Sequence, residues 1–216
     1  MKKTFEKVYQ LKLSIKGITP QIWRRIQVPE NYTFLKLHDA IQAVMDWEDY
    51  HLHEFEMVNP KTGMLDRIGT EGDDFEAFGG PLVSEKKAKL SDYFTLENKE
   101  ALYTYDFGDN WQVKVRLEKI LPRKEGVEYP ICTAGKRAAV PEDSGGGVWG
   151  GYEEMLEVLK DSEHEEYEDT VLWLGGMILT PPNTLTQKMF LSEPQTLPNP
   201  DVHHSLRFFL FSCFET

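Results

Sequence analysis

The chain has 216 residues, 36 of them Asp or Glu and 24 Lys or Arg, which gives a formal net charge of −12 and a pI near 5.0. That length holds one large domain, or one domain plus an extension, and 40% apolar residues with 12% aromatics supply a core and exclude global disorder. The acidic balance excludes broad DNA coating, which needs a basic face, and no apolar run approaches the roughly 18 residues of a membrane span.

Leu11, Leu13 and Ile15 alternate with Lys12, Ser14 and Lys16, which predicts a half-buried strand over 8–16. Gly17-Ile18-Thr19-Pro20 predicts the turn. The return strand over 21–28 puts Ile22, Arg24, Ile26 and Val28 on one face and Trp23, Arg25 and Gln27 on the other, and Pro29 with Asn31 ends it. Thr33 is placed to cap a helix over 34–46 whose stripe is Leu37, Ala40, Ile41, Val44 and Met45. Residues 51–58 alternate again, with His51, His53, Phe55 and Met57 on one face. The stretch 59–89, rich in Gly, Asp and Lys, reads as a long excursion, and a short helical turn is expected over 90–94.

Residues 101–107 and 111–120 predict a hairpin about Gly108-Asp109-Asn110. Its rings, Tyr103, Tyr105, Phe107 and Trp111, read as core packing. Pro122 to Trp149 reads as a loop that includes Gly145-Gly146-Gly147. Two helices should follow. Tyr152, Met155, Leu156 and Leu159 mark the first; a Ser162/Glu165 capping box opens the second, with Tyr167, Val171, Leu172 and Leu174 as its apolar side and Gly175-Gly176 as its end. From 177 onward prolines interrupt every pattern, and Leu206–Phe214 is a continuous apolar run. The expected fold is α+β: an antiparallel-rich sheet of about five strands against about three helices, with a β-grasp-like N-terminal start. Residues 1–176 read as the domain and 177–216 as an extension.

Charge is unevenly placed. Residues 1–45 hold eight basic and three acidic side chains, a net +5, whereas 142–169 hold eleven acids against Lys160, a net −10. The acidic helices over 150–169 could dock a basic protein partner. Cys132 and Cys213 are too few for a disulfide framework and fit a reducing cytoplasm, and the basic start Met1–Phe5 has no apolar h-region behind it, so no secretory signal is expected.

Several motifs occur in order: Trp23-Arg24-Arg25, Trp47-Glu48-Asp49-Tyr50-His51-Leu52-His53-Glu54-Phe55, Tyr105-Asp106-Phe107-Gly108-Asp109-Asn110-Trp111, Cys132-Thr133-Ala134-Gly135-Lys136-Arg137, Pro141-Glu142-Asp143 and Trp149-Gly150-Gly151-Tyr152-Glu153. Over roughly residues 5–176 the chain resembles the Ri-plasmid ORF-three-like family, whose members occur on plasmids, transposons and chromosomes. The resemblance implies an α+β domain and no established activity. Some members carry a resolvase label. Here Ser14 sits between lysines with no Arg beside it, and His204-Ser205-Leu206-Arg207 has no Tyr after it, so neither recombinase chemistry is assembled. The family pattern has cysteines where this chain has Ala139 and Ser144, which leaves Cys132 alone in that loop.

His51 and His53 are the strongest metal candidates. Residues i and i+2 of a strand point the same way, so two imidazoles could share Zn or another transition metal with Asp143, Asp106, Asp109 or Glu142. The competing reading is a pair of polar residues bonded to the sheet surface. Lys136 and Arg137 beside the glycine run could hold an anion. Trp23, Arg24 and Arg25 could form a basic aromatic patch, although alternation sends the two arginines to opposite faces. Trp111 joins the binding candidates as a hairpin ring. No complete catalytic constellation emerges, so a non-catalytic interaction module is the first reading. A metal-dependent hydrolase and a nucleic-acid-binding accessory protein follow.

Overall fold

In a computed structural model, residues 5–70, 82–144 and 150–174 and the backbone of 195–196 are described. The glycine run 145–147, residues 71–81 within the 59–89 excursion, the Gly175-Gly176 end of the last predicted helix, and the 177–216 calls other than 195–196, including Leu206–Phe214, lie outside the described residues. Eight strands run from β1 to β8: Lys7–Ile15, Trp23–Pro29, His53–Val58, Leu65–Gly69, Val83–Ser84, Glu100–Tyr105, Trp111–Pro122 and Ile131–Lys136. With the two-residue β9, Gln195–Thr196, they form one sheet in the order β5-β4-β3-β6-β7-β1-β2-β8-β9. Every pairing is antiparallel except β4 with β5, so the sheet is mixed. Among the described residues four helices accompany it: α1 Phe34–Met45, α2 Leu90–Tyr93, α3 Gly151–Val158 and α4 Tyr167–Trp173. None is long and apolar enough to cross a membrane.

The α+β class stands, with more strands than expected. Strands with clear period-2 alternation were legible. The additional β4 and β8 read Leu-Asp-Arg-Ile-Gly and Ile-Cys-Thr-Ala-Gly-Lys, short runs whose strand state comes from pairing with β3 and β2. The β-grasp analogy does not hold, because β1 pairs antiparallel with both neighbours and β3 lies beyond β7 and β6.

α1 begins where predicted. The Thr33 hydroxyl accepts from the Lys36 N–H at 3.4 Å. Its predicted stripe is buried, and so are Phe34, His38 and Gln42. The helix covers one sheet face; Leu11, Leu13, Ile26, Phe55, Tyr103, Val113 and Val115 point into that core. Phe34 packs edge-on to Phe55 and Tyr93, with centroids 5.1 and 5.3 Å away. The hairpin rings Tyr103, Tyr105 and Trp111 are buried as expected, but Phe107 is exposed at the turn.

The last helix departs from its prediction. α4 starts at Tyr167, not at the Ser162/Glu165 box, because Asp161 Oδ1 accepts the Glu163 N–H and His164 Nδ1 accepts the Glu166 N–H, holding that stretch in turns. None of α4's own residues is buried, and Leu172 and Trp173 are exposed.

Candidate functional site

β3 opens at His53, so His51 lies in the bend before the strand and alternation does not align the two rings. They enter separate groups.

In the first group, His51 Nε2 is 2.6 Å from Asp143 Oδ1 and 3.8 Å from Asp106 Oδ2. One ligand atom from each of the three lies within 4.8 Å of the others. Asp106, at the start of the β6–β7 turn, and Asp143 both have left-handed backbone, φ 54° and 58°. Asp109 lies half-buried in the same turn. Behind this group the Tyr105 hydroxyl donates to Glu142, whose carboxylate also accepts the N–H of Glu48 at 2.5 Å. Trp47 stacks on Tyr105, centroids 4.9 Å apart, and its indole N–H donates to the Val140 carbonyl at 3.1 Å. Segments 47–51, 105–106 and 140–143 are thus tied together at one end of the sheet. Burial opposes the His51 imidazolium, but the hydrogen bond to Asp143 and the charges of Asp106, Asp143 and Glu142 outweigh it and raise the pKa. Burial and Glu142 push the Tyr105 phenol up, so it stays protonated and donates.

The second group is in the core. His53 stacks on His38 with centroids 3.5 Å apart, and its Nε2 donates to Glu85 Oε2 at 2.7 Å. Glu85 Oε1 accepts from the Thr70 hydroxyl at 2.8 Å. Gln42 donates to the Tyr103 oxygen at 3.0 Å, which leaves the Tyr103 hydroxyl hydrogen for His38 Nδ1 at 2.8 Å. That assignment puts the His38 proton on Nε2, facing Asp49 Oδ1 at 3.0 Å, in a neutral ring. Burial lowers the His38 pKa despite Asp49. Burial raises Glu85, but its bonds to His53 and Thr70 prevail and its pKa is lowered. His38, Asp49 and Glu85 escaped the sequence reading; the available signal was a histidine within the buried arc of α1.

These shifts have opposite signs in pH. The raised His51 pKa contributes stability that is complete below about pH 6.5 and is lost as pH rises through the folded value. The lowered His38 pKa makes the unfolded chain bind more protons below about pH 6.5, so stability falls on acidification. Denaturant titrations at pH 6.5 and 5 should show this loss, and His38→Gln should reduce it. An equal loss in the variant would contradict the assignment.

Other candidates have structural partners. Arg24 is buried and donates to the carbonyls of Val44 at 3.1 Å, Trp23 at 3.0 Å and Lys136 at 3.3 Å; burial, against Asp46, lowers its pKa to about 10, so it stays charged. Arg25 faces the other way and forks onto Glu118 at 2.7 and 3.2 Å. Trp23 is 8% exposed and Trp111 fully buried. Arg137 donates to the Pro20 carbonyl, and Lys136 is exposed at the end of β8.

Beside the first group, Asp143, Ser144, Glu154, Glu166, Asp169 and Trp173 border a cleft of about 490 Å³ between the β8–α3 loop and the two acidic helices. The Ser144 hydroxyl is buried with no hydrogen-bond partner among the described residues.

The protein is thus a mixed single-sheet α+β domain with histidine and carboxylates gathered at one sheet end. The chain belongs to the family described as plasmid pRiA4b ORF-3-like protein, which matches residues 7–185. It is 34% identical over 170 residues to uncharacterized protein y4hQ of Sinorhizobium fredii, covering 78% of this chain and 81% of that one. It is also similar to the crystal structure of a protein of unknown function, MM3350 from Methanosarcina mazei Go1: 89% identity, TM-score 0.75, covering 82% of this chain and 94% of that one.

Proposed function

We propose that the protein binds a divalent transition metal, Zn or a similar ion, through His51, Asp106 and Asp143, and that the centre serves hydrolysis in the adjoining cleft. The observation that carries this reading is the convergence of one imidazole and two carboxylates within 4.8 Å, with His51 and Asp143 separated by 92 residues of sequence. Three protein ligands of this type leave a coordination position for water, and such an ion lowers the pKa of bound water. His51 supplies a borderline nitrogen donor and the aspartates hard oxygens. Tyr105 and Glu142 orient the support behind them.

Elemental analysis of purified protein should find near-stoichiometric metal. His51→Ala and Asp143→Ala should lose it, whereas His53→Ala should keep it, because His53 bonds Glu85. A folded wild type that stays metal-free after incubation with Zn would overturn the reading.

A second reading, the non-catalytic interaction module, draws support from α4, which shows Leu172 and Trp173 to solvent beside Glu166 and Asp169. It expects a basic protein partner whose capture fails after charge reversal over 163–169.

A further inference from the structure

The sheet face turned away from α1 carries a charge pattern that the metal centre does not use. Leu11, Leu13, Ile26, Val113, Val115 and Leu117 point into the core, so the alternating Lys12, Arg25, Lys114 and Arg116 point outward. Register places Lys12 opposite Arg25 on β2 and opposite Arg116 on β7. Three cations thus lie side by side across adjacent strands, about 4.8 Å apart in backbone spacing. Lys119 stands opposite Gln10 in the row on one side of it, and Lys114 opposite Ser14 in the row on the other side.

Like charges directly opposite one another destabilise a sheet, so this row runs against folding stability. Two carboxylates temper it. Glu118, at a β7 bulge, pairs with Arg25 at 2.7 Å, and Glu100, opposite Arg116, pairs with Lys114 at 2.9 Å. A groove of about 740 Å³ follows the face. Lys12, Arg25, Lys99, Arg116 and Lys119 line it, with Glu118 as the one carboxylate among its lining residues.

We propose that this face binds the phosphate backbone of duplex DNA. Charge complementarity argues for a polyanion. Its chemistry argues for a duplex: single-strand binding draws on aromatic rings that stack bases, and here Trp23 is 8% exposed beneath Lys12 and Arg25, which lie 4.8 and 5.1 Å from its ring. A duplex instead offers one charge about every 1.7 Å, which suits a row of cations. Contacts of this kind position a protein without reading sequence. The acidic stretch 142–169 repels the same polyanion and so restricts docking to the basic face.

Fluorescence anisotropy with a labelled duplex of about 20 base pairs, taken from about 50 to 200 mM salt, tests this. Binding should weaken steeply with salt. Lys12→Gln/Arg116→Gln should weaken it about tenfold at low salt and reduce the log–log salt slope by about 2, one per lost phosphate contact. Its denaturation midpoint should not fall, because repulsion has been removed. Lys61→Gln/Lys160→Gln, which removes the same charge off this face, should bind as wild type. No duplex binding at about 50 mM salt, an equal loss in the control, or tighter binding to oligo-dT of equal length would overturn the proposal.

Discussion

Glu85→Ala is expected to lower stability by about 3 kcal/mol at pH 7, at the lower end of the cost of breaking a buried ion pair. Glu85 is 1% exposed and holds His53 and Thr70 through its two oxygens. Its removal strands a buried imidazole and hydroxyl beneath α1. Each of these groups loses its acceptor and becomes a buried donor with that bond unmade. Glu85→Gln keeps a hydrogen-bonding group in the same volume and should cost about half as much. The lowered Glu85 pKa means its contribution is complete above about pH 4.3 and is lost as pH falls through the folded value, so the gap between wild type and Glu85→Ala should narrow in acid. Urea unfolding at pH 7 and 4 measures both. A cost under about 1 kcal/mol at pH 7 would show that the pair adds little over neutral packing.

Trp47→Ala should cost about 3–5 kcal/mol, the range for deleting a buried aromatic side chain. Trp47 is 1% exposed, stacks on Tyr105 and ties α1's C-terminal side to the 140–143 segment through Val140. The same substitution should weaken metal binding, since Tyr105 holds Glu142 and Asp143 follows it in the chain. Trp47→Phe keeps a ring on Tyr105 but loses the indole donor, so it should cost about 1–3 kcal/mol. Denaturant midpoints with a zinc titration separate the two effects. Full metal affinity in a destabilised Trp47→Ala would show that the stack supports the core alone.

Both variants probe contacts that sequence periodicity does not encode. Alternation found β1, β2, β3, β6 and β7, and the Thr33 cap and apolar spacing found α1. It placed Arg24 and Arg25 correctly on opposite faces, although Arg24 serves carbonyls and Arg25 serves Glu118. The His51/His53 reading assumed that the strand began at 51. It begins at 53, and this shift sends one ring to Asp143 and the other to Glu85. Asp49, Asp106 and Asp143 share left-handed backbone near the site, a feature with no period to detect.

By itself, the sequence determined the family, the α+β class and the inward or outward direction of side chains along the main strands, because these depend on residue order and a local repeat. The tertiary structure decided the rest. Sheet order brought β1 between β2 and β7 and set Lys12 between two arginines. Long-range closure joined His51 to Asp143 and gathered the uneven charge of the chain into a basic sheet face and an acidic cleft. Register and loop closure are properties of paired segments, and no single segment carries them.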